Sequence, residues 1–243
     1  MLAWVLGRGG CMRIIEALKK RLVERDVIKI CDEYTTVVNN LVKGWLEPGN
    51  LHCFKYCLDK IPIGSSVVEI GAFQGLSTII LAHYSGGRHK IFNCDKWLPD
   101  VGVLDSMYKQ DIDCVKHKDF LKTSYMKNVS YFCKKPPNTF EMLSDEFFEK
   151  WDANAAAPSL FYGEVILGGD IGFCFIDGSH TYDQTKKDFM NTDRHLITDG
   201  FILFDDSADY SSLGCHKFVK ELQKDGRYRL IMKNPNYLFQ KIT

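Results

Sequence analysis

Val67-Val68-Glu69-Ile70-Gly71-Ala72-Phe73-Gln74-Gly75-Leu76-Ser77-Thr78 is the stretch on which the fold turns. Ser66 to Ile70 is a short, mostly apolar run, as expected of a strand buried on both faces of a parallel sheet. A tight loop with two glycines follows, and Ser77 or Thr78 can cap a helix over Ser77 to Tyr84. Strand, glycine loop and helix in that order predict a ligand site outside the carboxyl end of the strand. The loop spacing is G-x-x-x-G, preceded by the acid Glu69. A dinucleotide fingerprint would read G-x-G-x-x-G and hold a pyrophosphate at the helix start. An acid beside the ligand suits a cationic amino-acid group better, which disfavours a nicotinamide oxidoreductase. Packing glycines in an ordinary strand-to-helix turn are the plain alternative.

Working outward, the pattern of strands and helices repeats. Lys90 to Cys94 reads as a second strand ending at Asp95, Val129 to Cys133 as a third, and Gly172 to Ile176 as a fourth ending at Asp177. Thr181 to Leu196 reads as a helix and Phe201 to Phe204 as a fifth strand ending at Asp205. Tyr228 to Met232 and Tyr237 to Lys241 form a closing pair around Asn234-Pro235-Asn236. The prediction is a Rossmann-like, doubly wound α/β sheet, mostly parallel, with an antiparallel terminal strand. Ahead of it, apolar residues at helical spacing predict a helical extension over 1–46, with the helix itself from Ile14 to about Trp45. A second helix is expected over Leu51 to Lys60, after Pro48-Gly49-Asn50 and before Ile61-Pro62. The catalytic domain would span 47–243, with an insertion at about 151–170 that is either a surface loop or a cover for the substrate.

Bulk properties narrow the class. The chain has 243 residues, 45% hydrophobic and 26% charged, with a formal net charge of zero. That is enough for one sizeable core and offers no global field for nucleic acid. The nine cysteines are scattered, without close pairs or zinc spacing, which suits reduced thiols in the cytoplasm. Met1 to Gly7 is apolar but too short for a signal peptide, Met12 is a second candidate start, and no run reaches membrane-span length.

Asp95 follows the second strand about twenty residues after the loop, where an acid is placed to accept both ribose hydroxyls of an adenosine cofactor. Asp177 and the pair Asp205-Asp206 end neighbouring strands on one sheet edge. Three carboxylates there offer a hard-cation site for Mg²⁺, or else serve as caps and loop contacts. His180 lies one short turn after Asp177 and is the candidate base for a hydroxyl proton. A hydrogen-bonded loop histidine is the alternative. Phe73, Trp97 and Tyr210 are candidate apolar walls, with core packing the preferred reading for Phe73. His83 and His195 fall in apparent helices and carry no signal, and His216 reads as a helix-surface residue.

The E-I-G-x-x-x-G-x-S-T loop with Asp95-Lys96-Trp97 resembles class I S-adenosylmethionine-dependent methyltransferases. Asp177-Gly178-Ser179-His180-Thr181-Tyr182 and Gly200-Phe201-Ile202-Leu203-Phe204-Asp205-Asp206 resemble the D-G-x-H-x-Y and G-G-x-x-x-x-D-D elements of a bacterial branch. That branch includes macrolide-sugar O-methyltransferases and cephalosporin hydroxylase-like proteins. Asp199 stands where the branch often has a glycine, and the resemblance is poor between Trp97 and Asp177. The resemblance implies that Glu69, Gly71 and Gly75 line the methionine part of the cofactor, with Ala72, Phe73, Ser77, Lys96, Trp97 and Asp177 beside it. It implies Asp95 on the ribose, and Pro48-Gly49-Asn50 closing over the cofactor. Asp177 and His180 become the catalytic candidates, and Asp177, Asp205 and Asp206 the metal candidates. The acceptor is expected to be a small-molecule or sugar hydroxyl, and a homodimer is a candidate assembly.

Overall fold

The computed structural model describes residues 32–98 and 114–243. Seven helices lie within them: α1 (Glu33–Leu41), α2 (Pro48–Leu58), α3 (Leu76–Ser85), α4 (Cys114–Phe132), α5 (Ser144–Asp152), α6 (Tyr182–Asp193) and α7 (Gly214–Leu222). The strands are β1 (Ser66–Ile70), β2 (Lys90–Cys94), β3 (Asn138–Phe140), β4 (Ala156–Pro158), β5 (Glu164–Ile166), β6 (Ile171–Ile176), β7 (Leu196–Phe204), β8 (Tyr228–Lys233) and β9 (Tyr237–Lys241).

The main sheet runs β3-β2-β1-β6-β7-β9-β8. Its first five strands are parallel, and β9 and β8 close it antiparallel. This is the Rossmann-like sheet the sequence predicts. Side chains alternate across it as a pleated strand requires. Val67, Phe173, Phe175, Phe201 and Leu203 pack toward α2, α3 and α4. Val68, Ile70, Cys174, Ile176, Ile202 and Phe204 pack on the other face, with residues of α5, α6 and α7. The described part of the N-terminal extension joins the first of these cores, since Val38 is fully buried in it. The expected helix stops at Leu41, well short of Trp45, and its residues 14–31 lie outside the described residues.

Two expectations need correction. Val129 to Cys133 is not a strand: its first four residues end α4. Leu121, Tyr125 and Val129 recur every four residues and are buried together, so the apolar run is a helix seam. The third strand is the three-residue β3, beside β2. Leu196 starts β7 rather than ending the preceding helix. The segment 151–170 holds the end of α5 and a small antiparallel pair, β4 with β5. Its Asn154, Ile166, Gly168 and Gly169 line a cavity of about 670 Å³ shared with Ser65 and Lys90. That cavity sits at the amino ends of β1 and β2, away from the carboxyl ends where the sequence predicts the ligand site. Among the described residues, no helix is long and apolar enough to cross a membrane, and Cys53, Cys57, Cys94, Cys133, Cys174 and Cys215 are buried and free.

Candidate active site

A cleft of about 1240 Å³ opens at the carboxyl ends of β1, β2, β6 and β7. Gly71, Ala72 and Phe73 form one wall with Asp95, Lys96 and Trp97, and Asp177, His180, Asp205 and Asp206 face the same space. Trp45 and Glu47 border it from the segment before α2. One opening thus gathers the loops after four parallel strands, as expected where strands of a doubly wound sheet end.

The glycine loop is held in a shape few residues adopt. Gly71 and Gly75 have φ of 87° and 94°, and Phe73 and Trp97 have φ of 44° and 50°. Left-handed backbone at non-glycine residues is uncommon and concentrates at functional sites. Asp95 supplies the restraint. Its Oδ2 accepts the backbone N–H of Ala72 at 2.8 Å and of Phe73 at 2.9 Å. Its Oδ1 accepts the N–H of Trp97 at 2.5 Å. The Trp97 indole N–H then donates to the Phe73 carbonyl at 2.7 Å. Burial raises the Asp95 carboxyl above its usual range, and the three N–H donors oppose that shift. Gly71 sits so close to the next loop that a Cβ would lie 2.0 Å from the Asp177 carbonyl oxygen. Phe73, preferred above as core, is half-buried: it packs on the core and also lines the cleft, with Trp45 against its ring at 5.1 Å.

Glu69 does not reach the cleft. It is fully buried and points toward α3, on the same face of the sheet as Val67. Ser77 Oγ donates to its Oε1 at 2.5 Å, Thr78 Oγ1 donates to its Oε2, and Asn93 Nδ2 donates to Oε2 at 3.0 Å. Burial pushes the Glu69 carboxyl up to about 7, against these donors. Glu69, Asn93 and Thr139 are neighbours in register across β1, β2 and β3. The Tyr125 hydroxyl from α4 joins the row, accepting from Asn93 Nδ2 at 2.8 Å and lying 2.7 Å from Thr139 Oγ1. Ser77, expected beside the cofactor, lines the cleft while its hydroxyl is committed to Glu69.

On the opposite wall, Asp177 and Asp205 are both buried and lie close enough for each to shift the other's ionisation. Burial first, and the Asp205 charge second, lift the Asp177 carboxyl well above the carboxylate range. Asp205 is lifted less, to about 6: burial raises it, and the Asn50 amide is the largest opposing contact. Asp206, at φ 50°, turns to His180, whose Nδ1 lies 3.3 Å from Oδ2. The oxygen-only donors and the close carboxylate pair suit a hard cation in type. Among the described residues, however, no three His, Cys, Asp or Glu side chains are arranged to hold a metal ion.

Sequence reasoning missed the residues that hold these acids. Asn50 Nδ2 and Asn236 Nδ2 each donate to Asp205 Oδ1 at 2.6 Å. Both amides lie beside prolines in the two motifs Pro48-Gly49-Asn50 and Asn234-Pro235-Asn236, and that paired punctuation was the available signal. Tyr210 is exposed and donates its hydroxyl to Glu47, so it is not an apolar wall. His216 lies in α7 with Nδ1 2.9 Å from the Ser207 carbonyl oxygen. His83 and His195 pair with Asp32 and Asp152 at the surface.

A family model described as a methyltransferase domain matches residues 68–207, more than half of the chain. Among solved structures, the chain is similar to the O-methyltransferase TomG of Streptomyces achromogenes, in complex with S-adenosylmethionine. That match has 11% identity and a TM-score of 0.53, covering 88% of this chain and 91% of the other. It is also similar to an O-methyltransferase of Bacillus cereus in complex with S-adenosylhomocysteine, at 14% identity and a TM-score of 0.52, covering 88% and 92%. The O-methyltransferase NovP matches at 16% identity and a TM-score of 0.51, covering 81% and 80%. At these identities the neighbours show the fold. No curated protein matches the chain.

Proposed function

The chain belongs to the methyltransferase-domain family of S-adenosylmethionine-dependent enzymes, and from that membership we propose that it methylates a hydroxyl oxygen of a small molecule or sugar. One observation carries the reading: the cofactor-type loop at Gly71 to Phe73 and the group Asp177, His180, Asp205 and Asp206 face each other across a single cleft. S-adenosylmethionine supplies an electrophilic sulfonium methyl group. Gly71 lets the backbone approach it, and the Asp95 clamp fixes the loop that receives it. Lys96 and Trp97 extend that wall, with Asp95 proposed to reach the ribose as well. His180 takes the proton from the acceptor hydroxyl, its ring oriented by Asp206 at Nδ1. Holding the nucleophile in line then supplies much of the acceleration.

The finer reading places Mg²⁺ at Asp177, Asp205 and Asp206, where it would orient the acceptor and lower its hydroxyl pKa. The pairing of Asp206 with His180 favours a second reading, acid–base catalysis without metal. The test is methyl transfer from labelled S-adenosylmethionine to a panel of sugar and phenolic hydroxyls, with and without chelator. Loss with chelator and recovery with Mg²⁺ supports the metal reading, and indifference to chelator supports the second. Tight S-adenosylhomocysteine binding with no transfer to any hydroxyl, and no effect of Asp177→Ala or His180→Ala on a nitrogen acceptor, would overturn the oxygen reading. The free buried cysteines accord with a cytoplasmic enzyme acting on diffusible metabolites.

A further inference from the structure

We propose that Lys43 binds the carboxylate at the amino-acid end of the cofactor, a role that rests on the cofactor reading above. An amino-acid group in a cleft presents an ammonium and a carboxylate, and each needs an opposite charge or hydrogen-bond partner once water is displaced. Acids are plentiful along this cleft: Glu47, Asp145, Asp177, Asp205 and Asp206. They suit the ammonium and repel the carboxylate. Among the described residues, the lysines lining the cleft are Lys43 and Lys96. Lys96 follows Asp95, on the wall proposed for the ribose. Lys43 comes from the segment packed on the glycine loop.

The placement follows from the chain. Val38 and Val42 are buried and anchor the end of α1 in the core. Asn39 and Lys43, the residues after them, both line the cleft. Gly44 lies so near the start of α3 that a Cβ there would sit 2.8 Å from Leu76 Cβ. Trp45 comes next, with its ring 5.1 Å from that of Phe73 in the glycine loop. The Lys43 ammonium lies 5.5 Å from the centre of the Trp45 ring. An aromatic pair resting on the loop thus carries the ammonium. Lys43 is exposed, and among the described residues it forms no ion pair. α3 begins at Leu76 without a side-chain cap, so the positive end of the helix adds to the field on that side. An anion entering beside the glycine loop meets a cation that no protein carboxylate has claimed.

The test is calorimetry on the intact protein with two ligands. One is S-adenosylhomocysteine, and the other is its decarboxylated analogue, which keeps the ammonium and lacks only the carboxylate. The variants are Lys43→Gln, Lys43→Arg and a control, Lys60→Gln, which removes a lysine that also lies over an aromatic ring, Tyr56. Lys43 is exposed, so its replacement spares the fold. Wild type should bind S-adenosylhomocysteine about tenfold more tightly than the analogue. Lys43→Gln should bind S-adenosylhomocysteine about tenfold more weakly than wild type, and the analogue no more weakly. Lys43→Arg should keep most of the affinity and Lys60→Gln all of it. If Lys43→Gln weakens both ligands alike, Lys43 only holds Trp45 on the loop and the proposal fails. If it weakens neither, or if wild type binds the two ligands equally, the proposal is overturned and the cofactor reading stands. If wild type binds neither ligand, the cofactor reading falls and the proposal with it.

Discussion

Asp95 Oδ2 accepts the backbone N–H of Phe73 at 2.9 Å, and the Phe73 carbonyl accepts the Trp97 indole N–H at 2.7 Å, so each holds the other's left-handed turn. An Asp95→Asn variant keeps one oxygen and places an amide against backbone donors. At least one buried N–H loses its acceptor, at a cost of about 1–3 kcal/mol. We expect lower stability in chemical denaturation and at least tenfold weaker S-adenosylhomocysteine binding by calorimetry. Unchanged affinity would mean that the loop keeps its shape without the clamp.

Gly71 and Gly86 share left-handed φ but differ in surroundings. A Cβ at Gly71 would meet the Asp177 carbonyl at 2.0 Å, whereas nothing lies within 4 Å of one at Gly86. Gly86→Ala should cost about 1–2 kcal/mol, the penalty of the conformation alone. Gly71→Ala adds overpacking of about 1–3 kcal/mol, and it pushes the loop off Asp177. Thermal melts should separate the two variants clearly, and only Gly71→Ala should abolish cofactor binding. Equal losses in both would show that the backbone opens to admit the methyl.

The parallel core was legible because its strands are long enough to declare themselves. Ser66 to Ile70 and Lys90 to Cys94 are strands over the ranges the sequence predicts. β3 was not legible: three residues, Asn-Thr-Phe, carry no period, while the nearby Val129 to Cys133 is apolar for a helical reason. α5 left a readable signal in Phe147, Phe148 and Trp151, all buried, with Asp145 and Glu146 in its first turn. In the site, motif position located Asp95, Asp177, His180 and Asp205 at the cleft. It could not show that Glu69 faces away from it, because burial of an acid depends on partners from two other elements, α3 and β2. Nor could it show Asn50 meeting Asn236, 186 residues away.

Tyr125 tests the corrected third strand. Its hydroxyl accepts from Asn93 and lies against Thr139, which requires α4 to cover the β2–β3 edge. Tyr125→Phe leaves the buried amide and hydroxyl short of a partner and should cost about 1–3 kcal/mol in denaturant unfolding. Tyr131→Phe, on the exposed side of the same helix, should fall within about 0.5 kcal/mol of wild type. Equal, small effects would mean that residues 114–132 do not pack through this face.

Glu69 makes stability depend on pH. Its folded pKa is raised from 4.5 to about 7, chiefly by burial. Between those values the folded state holds a proton that the unfolded chain has released, so stability falls as pH rises through the window. Below about 4.5 both states are protonated and the contribution is fully present; above about 7 both are ionised and the loss is complete. Glu69→Gln removes the titration but places an amide beside the hydroxyls of Ser77 and Thr78, which then need other acceptors. We therefore expect the variant to be less stable than wild type at pH 5. The difference should shrink or reverse at pH 8, where wild type carries a buried charge. Denaturant unfolding of both proteins at the two pH values measures it. A difference that is constant across the window would show that Glu69 stays ionised throughout, with its three donors outweighing burial.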